Sequence, residues 1–148
     1  MSTMTKILWS HAMNRFIFAC VSIMIFSLGF FQAHASDIVQ TPDQVVSELI
    51  SAMEANDAAR IRAVFTENAS QEYERWYARK KTGGKFWAWL KSDIIDVHGR
   101  VINPELKVDG NQVVLTGTYV NNDNYQSAAD FLLVVENGKI ISWTMRYD

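Results

Sequence analysis

The sequence is poor in the residues that metal-binding and thiol-dependent sites require. Among its 148 residues are one cysteine, Cys20, and three histidines. A single thiol forms no internal disulfide, and these few cysteine and histidine residues do not have the spacing of a zinc site. The sequence also has no glycine-rich phosphate loop and no nucleophile-elbow motif. These absences predict no metal site, no cofactor and no thiol or hydrolase chemistry.

Charge is scarce at the start of the chain. Lys6 and Arg15 are the only charged residues among the first 35, and an apolar run follows over Phe16–Phe31. That run is shorter than the roughly 20 residues of a transmembrane helix. Ala33-His34-Ala35 then supplies the small residues of a signal-peptidase site. We therefore predict a cleaved signal peptide over residues 1–35 and a periplasmic or secreted protein.

The remaining residues, 36–148, are predicted to form one domain, because their number suits a single hydrophobic core. An alternative start at Met13 would shorten the signal and leave this domain unchanged. Removal of Lys6 and Arg15 makes the domain more acidic than the whole chain, whose net charge is −2. An acidic domain does not favour nucleic acid as a partner. We also expect no stable membrane insertion after the signal is cleaved.

Helical patterns occupy the first half of this domain. Thr41-Pro42-Asp43-Gln44 combines a capping box with a proline at the first helical position, which together start a helix. Asp57 is the expected cap of a second helix. Gly83-Gly84 separates a charged helical pattern from a short apolar one. The predicted helices span residues 41–56, 57–67, 70–81 and 86–90.

Beyond Asp93 the apolar period changes to two, which is typical of strands. Asp109-Gly110 and Asn137-Gly138 are two-residue hairpin turns, so the strands are predicted to form an antiparallel meander. Pro104 predicts a bend or bulge in the first strand, because proline cannot donate to the ladder. The predicted strands span residues 94–108, 112–121, 128–136 and 139–147.

The Asn137-Gly138 turn predicts which side chains share a face of the sheet. Pairing Glu136 with Lys139 and counting outward places Asp130 on the same face as Trp143, and we expect helices to cover that face. The opposite face then carries an apolar patch that predicts a homodimer, since monomers seldom expose such a surface. Its residues are Phe131, Leu133, Val135 and Ile140.

Helices followed by a meander predict an α+β domain with its helices packed on one side of a curved antiparallel sheet. Thr41–Phe65, broken at Asn56-Asp57, and the final hairpin over residues 136–148 resemble the NTF2-like (SnoaL-like) superfamily. The resemblance covers nearly all of the domain, although the charged segment over residues 70–81 departs from it. It implies an NTF2-like/cystatin-like cone with a pocket at the open end, and often a dimer through the outer sheet face. Its members include isomerases, cyclases, dehydratases, ligand binders and assembly modules, so the resemblance selects no function.

Asp130 is the candidate catalytic residue. A carboxylate among apolar side chains loses water, and burial raises its pKa toward that of a useful acid or base. The resemblance implies a tyrosine or a second acid as partner, and the candidate partners are Tyr119, Tyr147 and His98. The alternative is that Asp130 lies near the sheet rim, where it reaches water, Arg146 or a backbone amide.

Aromatic residues are dense between Tyr73 and Trp89. They either line a pocket for a flat apolar molecule or supply core area. The candidate ligand-binding residues are Tyr73, Trp76, Trp87, Trp143, Met145 and His98. Because aromatic residues are plentiful and catalytic motifs are few, we favour non-catalytic binding of a small apolar ligand or a protein partner. The alternatives are a small isomerase- or dehydratase-type enzyme using Asp130, and a dimeric assembly module.

Overall fold

The computed structural model describes residues 39–75 and 79–146. The predicted signal segment, residues 1–35, lies outside this part of the chain, as do Trp76 and Tyr147. None of the helices described is long and apolar enough to cross a membrane. The elements in chain order are α1 (Pro42–Glu54), α2 (Ala58–Ala63), β1 (Phe65–Tyr73), β2 (Lys81–Thr82), α3 (Gly84–Trp89), a π-helix (Leu90–Ile95), β3 (Arg100–Asp109), β4 (Gln112–Val120), β5 (Gln126–Glu136) and β6 (Lys139–Met145).

The first two helices begin where the sequence predicts. The Gln44 side chain accepts a hydrogen bond from the Thr41 backbone N–H at 3.0 Å, as a capping box requires. The Asp57 carboxylate accepts from two backbone N–H groups of α2 at 3.1 Å. The apolar side of α1 packs on strands β3 to β6. Its buried residues are Val45, Val46, Leu49, Ala52 and Met53.

One six-stranded sheet, in the order β2-β1-β6-β5-β4-β3, carries the helices on its concave side. Strands β3 to β6 form the predicted antiparallel meander. The predicted helix over residues 70–81 is wrong, because β1 runs to Tyr73 and pairs in parallel with β6. The predicted second helix is also too long, since it ends at Ala63. Both differences arise from a strand pairing that local sequence does not specify.

A β-bulge interrupts the ladder between β3 and β4. The register shifts between Ile102 and Glu105, so the bulge predicted at Pro104 is confirmed. Opposite this bulge Gly117 has a φ of 148°, and a Cβ there would lie 2.8 Å from the Ile102 carbonyl oxygen. Only glycine allows both the conformation and the close approach. The first predicted strand is shorter than expected, because it starts at Arg100 and residues 90–95 are helical.

The Asn137-Gly138 hairpin forms as predicted, with Glu136 opposite Lys139. One step further the register shifts at Ile141, so that Leu133 pairs with Trp143. This single extra residue turns every later side chain of β6 to the other face.

The predicted assignment of faces is therefore wrong. The four residues predicted to form an outer apolar patch lie on the covered face and belong to the core, together with Trp143 and Met145. Asp130 alternates with the buried Ala129 and Phe131, so it faces the other way. The buried patch residues are Phe131, Leu133, Val135 and Ile140.

Candidate functional site

A half-open cavity of about 440 Å³ lies at one end of the concave face. Its walls come from the ends of β1, β4, β5 and β6, from the π-helix and from the loop between β4 and β5. The buried side chains among them are Trp89, Ile94, Tyr119, Phe131 and Met145. The exposed ones are Ser92, Asp93, Asp123 and Tyr125. The cavity thus has an apolar floor and a polar mouth.

Tyr119 joins the sheet to the π-helix beside the cavity. Its hydroxyl donates to the backbone carbonyl of Asp93 at 2.8 Å. Gly99 makes room for this contact, since a Cβ there would lie 2.2 Å from the Tyr119 hydroxyl oxygen. The Tyr119 ring meets Phe131 and Tyr125 edge to face, with centroids 6.3 and 6.1 Å away. Tyr119 therefore fixes one wall of the cavity.

The loop between β4 and β5 holds Tyr125 over the mouth. The Asn121 side-chain carbonyl accepts from the backbone N–H groups of Asp123 and Tyr125 at 2.9 and 3.1 Å. The backbone N–H of Asn122 donates to the Val97 carbonyl at 2.8 Å, which ties the loop to the segment after the π-helix. Tyr125 is 52% exposed, a high value for so large a ring, and it is available to a ligand.

Tyr73 enters the cavity from the end of β1. Burial is the main cause that raises the pKa of its phenol, and the negative charge of Asp93 raises this pKa further. The nearby indole N–H of Trp89 acts in the opposite direction. That N–H is buried and forms no hydrogen bond of normal geometry with the part of the chain described here. At neutral pH the Tyr73 phenol is therefore protonated.

The structure brings three of the predicted site residues together at the cavity. Tyr73, Tyr119 and Met145 all line it. Trp143 lies behind the wall, fully buried, with its ring edge to face against Trp89 at 5.3 Å. Trp143 therefore supports the site without reaching it.

Two other predicted ligand-binding residues lie elsewhere. The Nε1–H of Trp87 donates to the Glu67 carbonyl at 3.3 Å, and Trp87 does not line the cavity. The His98 ring lies 3.0 Å from the carbonyl of Glu54, so it closes the end of α1. Both side chains have a structural contact that accounts for their position.

Asp130 lies on the outer face of the sheet, outside the cavity. Its carboxylate accepts from the Arg146 guanidinium, at 2.9 Å from Nε, and its side chain is 37% exposed. This is the arrangement of the alternative interpretation, in which Asp130 reaches Arg146 near the rim. The register shift at Ile141 is the physical reason, because it separates the faces of Asp130 and Trp143.

We expect the Asp130→Asn variant to change the free energy of unfolding by less than about 1 kcal/mol, since an exposed ion pair contributes little. Ligand binding in the cavity should stay unchanged. Urea unfolding at low and high salt measures the first quantity, and Arg146→Gln is the matched control. A large loss of binding in Asp130→Asn alone would contradict this placement.

Sequence reasoning missed the residues of the mouth. Asp93, Asp123 and Tyr125 lie in or beside turns, where solvated side chains are the ordinary expectation. The signal that could have found them is the long segment between β4 and β5, because loops at strand ends often carry binding residues. In the residues described, no three acidic, histidine or cysteine side chains converge on a metal position.

Solved structures share this architecture. An NTF2-like protein from Cytophaga hutchinsonii superposes with a TM-score of 0.62 and 19% identity, covering 73% of this chain and 90% of its own. A candidate polyketide cyclase from Pseudomonas putida superposes with a TM-score of 0.58 and 16% identity, covering 74% of this chain and 92% of its own. A candidate ketosteroid isomerase from Kribbella flavida superposes with a TM-score of 0.59 and 12% identity, covering 72% of this chain and 77% of its own. No protein-family model and no curated protein matches the sequence.

Helices on the concave side of a bent sheet, with a cavity at its open end, define an α+β cone. The neighbours identify this cone as the NTF2-like fold, also described as cystatin-like. The predicted resemblance is confirmed at the level of fold. Because these identities are below 20%, the comparisons show the fold alone. The activities in the names belong to the neighbouring proteins.

Proposed function

We propose that this chain is an exported protein whose NTF2-like domain binds a small, flat, largely apolar molecule without transforming it. The cavity of about 440 Å³ carries this proposal. Its size is within the usual range for small-molecule sites, and its aromatic walls with a few converging polar groups are typical of such sites. Export rests on the sequence of residues 1–35, and the binding site on the geometry of the cavity.

The enzymatic alternative has less support because its base is misplaced. Asp130 pairs with Arg146 on the outer face. The carboxylates that do border the cavity, Asp93 and Asp123, are exposed, whereas a tuned general base is commonly desolvated. Two neighbours carry the names of a polyketide cyclase and a ketosteroid isomerase, but this chain shares only the fold with them. Binding therefore accounts for the site better than catalysis does.

Intrinsic fluorescence tests this proposal directly, because Trp89 lines the cavity and Trp87 does not. Steroid-like, flavin-like and fatty-acyl molecules are titrated into the protein, and bound species are checked by native mass spectrometry. We expect a saturable fluorescence change that is lost in Trp89→Phe and retained in Trp87→Phe. An equal response in the two variants, or no response to any class in both methods, would contradict cavity binding.

Tyr125 should contribute to affinity, since its exposed ring stands at the mouth. We expect Tyr125→Ser to weaken binding by about 0.5–1.5 kcal/mol, the contribution of one aromatic contact. Val108→Ser is the matched control, because Val108 is an exposed apolar residue away from the cavity. Titration calorimetry measures both. The same affinity in the two variants would remove Tyr125 from the site.

Dimerisation through the outer sheet face is a separate proposal. Half-buried apolar side chains lie on neighbouring strands of that face: Val114, Leu132 and Val134. They replace the residues predicted from the sequence, which are in the core. Light scattering over a concentration series tests the dimer, and a monomer at the highest concentration would count against it.

A further inference from the structure

The charged side chains that border the cavity all have the same sign. In the described ranges they are Asp93 and Asp123, and no lysine, arginine or histidine lines the cavity. Asp93 accepts a hydrogen bond from the neighbouring Ser92 hydroxyl at 2.6 Å. Neither carboxylate is within ion-pair distance of a described basic side chain. The mouth therefore carries uncompensated negative charge.

Two lysines near the lining residues along the chain have other partners. The Lys91 ammonium pairs with Asp96 at 2.5 Å, and Lys91 does not line the cavity. The Lys81 ammonium donates to Gln71 at 2.8 Å and lies 4.8 Å from the centre of the Tyr73 ring, outside the cavity lining. An anionic ligand in the cavity would consequently meet repulsion without a compensating ion pair.

Aromatic rings surround the space that these carboxylates face. Tyr119 stands at 61° to Tyr125 and at 70° to Phe131, so the rings enclose the cavity from different directions. Tyr73 and Trp89 complete the wall. Such a wall suits the flat apolar body of a ligand.

The floor of the cavity points to a second property of the ligand. Trp89 is only 4% exposed and lines the cavity, and its indole N–H, which lies near the Tyr73 phenol, forms no hydrogen bond of normal geometry in the described structure. A buried donor that is poorly satisfied costs free energy, which a ligand oxygen can recover. The indole donor at the floor and the carboxylates at the mouth therefore favour different groups at the two ends of a ligand. A matching ligand has an acceptor at its inner end and a positive charge at its outer end.

We propose that the cavity selects a protonated organic amine with a flat apolar body over its neutral and anionic analogues. This inference rests on the proposed function, since it names the class of molecule that the same cavity binds. The carboxylates Asp93 and Asp123 set the preference for charge. The aromatic wall binds the body of the molecule whatever its charge.

Three probes of nearly equal shape separate these contributions: naphthylethylamine, naphthylethanol and naphthylacetate. Calorimetry at pH 7 should give tightest binding for the amine and weakest for the carboxylate. Two exposed carboxylates predict that the amine binds roughly tenfold more tightly than the alcohol, with a preference that shrinks in high salt. Absence of binding for all three probes overturns the proposed function as well as this inference.

A charge-neutral mouth provides the decisive variant. In Asp93→Asn with Asp123→Asn, the amine should bind no more tightly than the alcohol, while the affinity for the alcohol stays as in the natural protein. Asp109→Asn with Asp43→Asn is the matched control, because it removes the same charge away from the cavity. Urea unfolding checks that both double variants fold. If the alcohol binds as tightly as the amine in the natural protein, or if the control also loses the preference, this inference is wrong while cavity binding stands.

Discussion

Replacing Trp143 with alanine is expected to lower the free energy of unfolding by about 3–5 kcal/mol, the range for large aromatic residues lost from a core. Trp143 has no exposed surface. Its ring stacks on Phe65 at 6.1 Å and contacts Trp89 and Phe131 at 5.3 Å each. The total free energy of unfolding of such a domain is only about 5–15 kcal/mol, so a large fraction of the variant molecules should be unfolded at moderate temperature.

Urea unfolding followed by circular dichroism measures this loss, and Trp87→Ala is the control at a half-buried site outside the central cluster. We also expect Trp143→Phe to be milder than Trp143→Ala. It keeps a ring in place and removes an indole N–H that is buried without a partner in the described structure. Equal losses in Trp143→Ala and Trp87→Ala would mean that Trp143 is not at the centre of the core.

The second large effect should come from Gly99→Ala, which introduces a methyl group where the Tyr119 hydroxyl lies. The new Cβ would be 2.2 Å from that oxygen and 2.9 Å from two ring carbons. Tyr119 must move, so its hydrogen bond to the Asp93 carbonyl is lost and the cavity wall shifts. Overpacking of this kind costs about 1–3 kcal/mol, and we expect ligand affinity to fall several-fold with it.

Gly84→Ala is the matched control, because a Cβ at Gly84 meets no atom within 4 Å. This variant should be neutral or slightly more stable, since alanine restricts the unfolded chain. Combining Gly99→Ala with Tyr119→Phe removes the closest clash and should restore part of the stability. Additive losses in the double variant would contradict a direct conflict between the two residues.

Local signals in the sequence predict local structure well. The Thr41 capping box, the Asp57 cap and the Asn137-Gly138 turn form as expected, because each depends on residues within four positions. The first hairpin also forms, but its loop lies one residue later than the predicted Asp109-Gly110, because Asp109 pairs with Gln112. The bulge near Pro104 also has a local cause. These features, with the order of helices and strands, are sufficient to predict an NTF2-like cone.

Strand β1 could not be predicted in the same way. It carries the charged residues Glu67 and Glu72, and its buried positions include the polar Ser70 and Gln71 instead of an apolar alternation. What makes this segment a strand is its parallel ladder with β6, which local sequence does not encode. Tertiary pairing therefore overrides the helical propensity of the segment.

The site was predicted only in part, for two physical reasons. One is the extra residue at Ile141, which reverses the facing of Trp143 relative to Asp130. The sequence holds a clue, because Ile140 and Trp143 are large apolar residues three positions apart and a regular strand would place them on opposite faces. Both are in the core. The other is that the cavity is assembled from several strands, the π-helix and a loop. Tyr73, Tyr119 and Met145 were found because they are aromatic or apolar residues on strands.

The parallel ladder between β1 and β6 also affects how the chain acquires its structure. Glu72 and Thr144 lie side by side although 72 positions separate them along the chain. During synthesis β1 emerges well before its neighbour exists, and closing so long a loop is entropically costly. We therefore expect a slow final folding step in which β6 inserts between β1 and β5, leaving β1 open to chaperones until then.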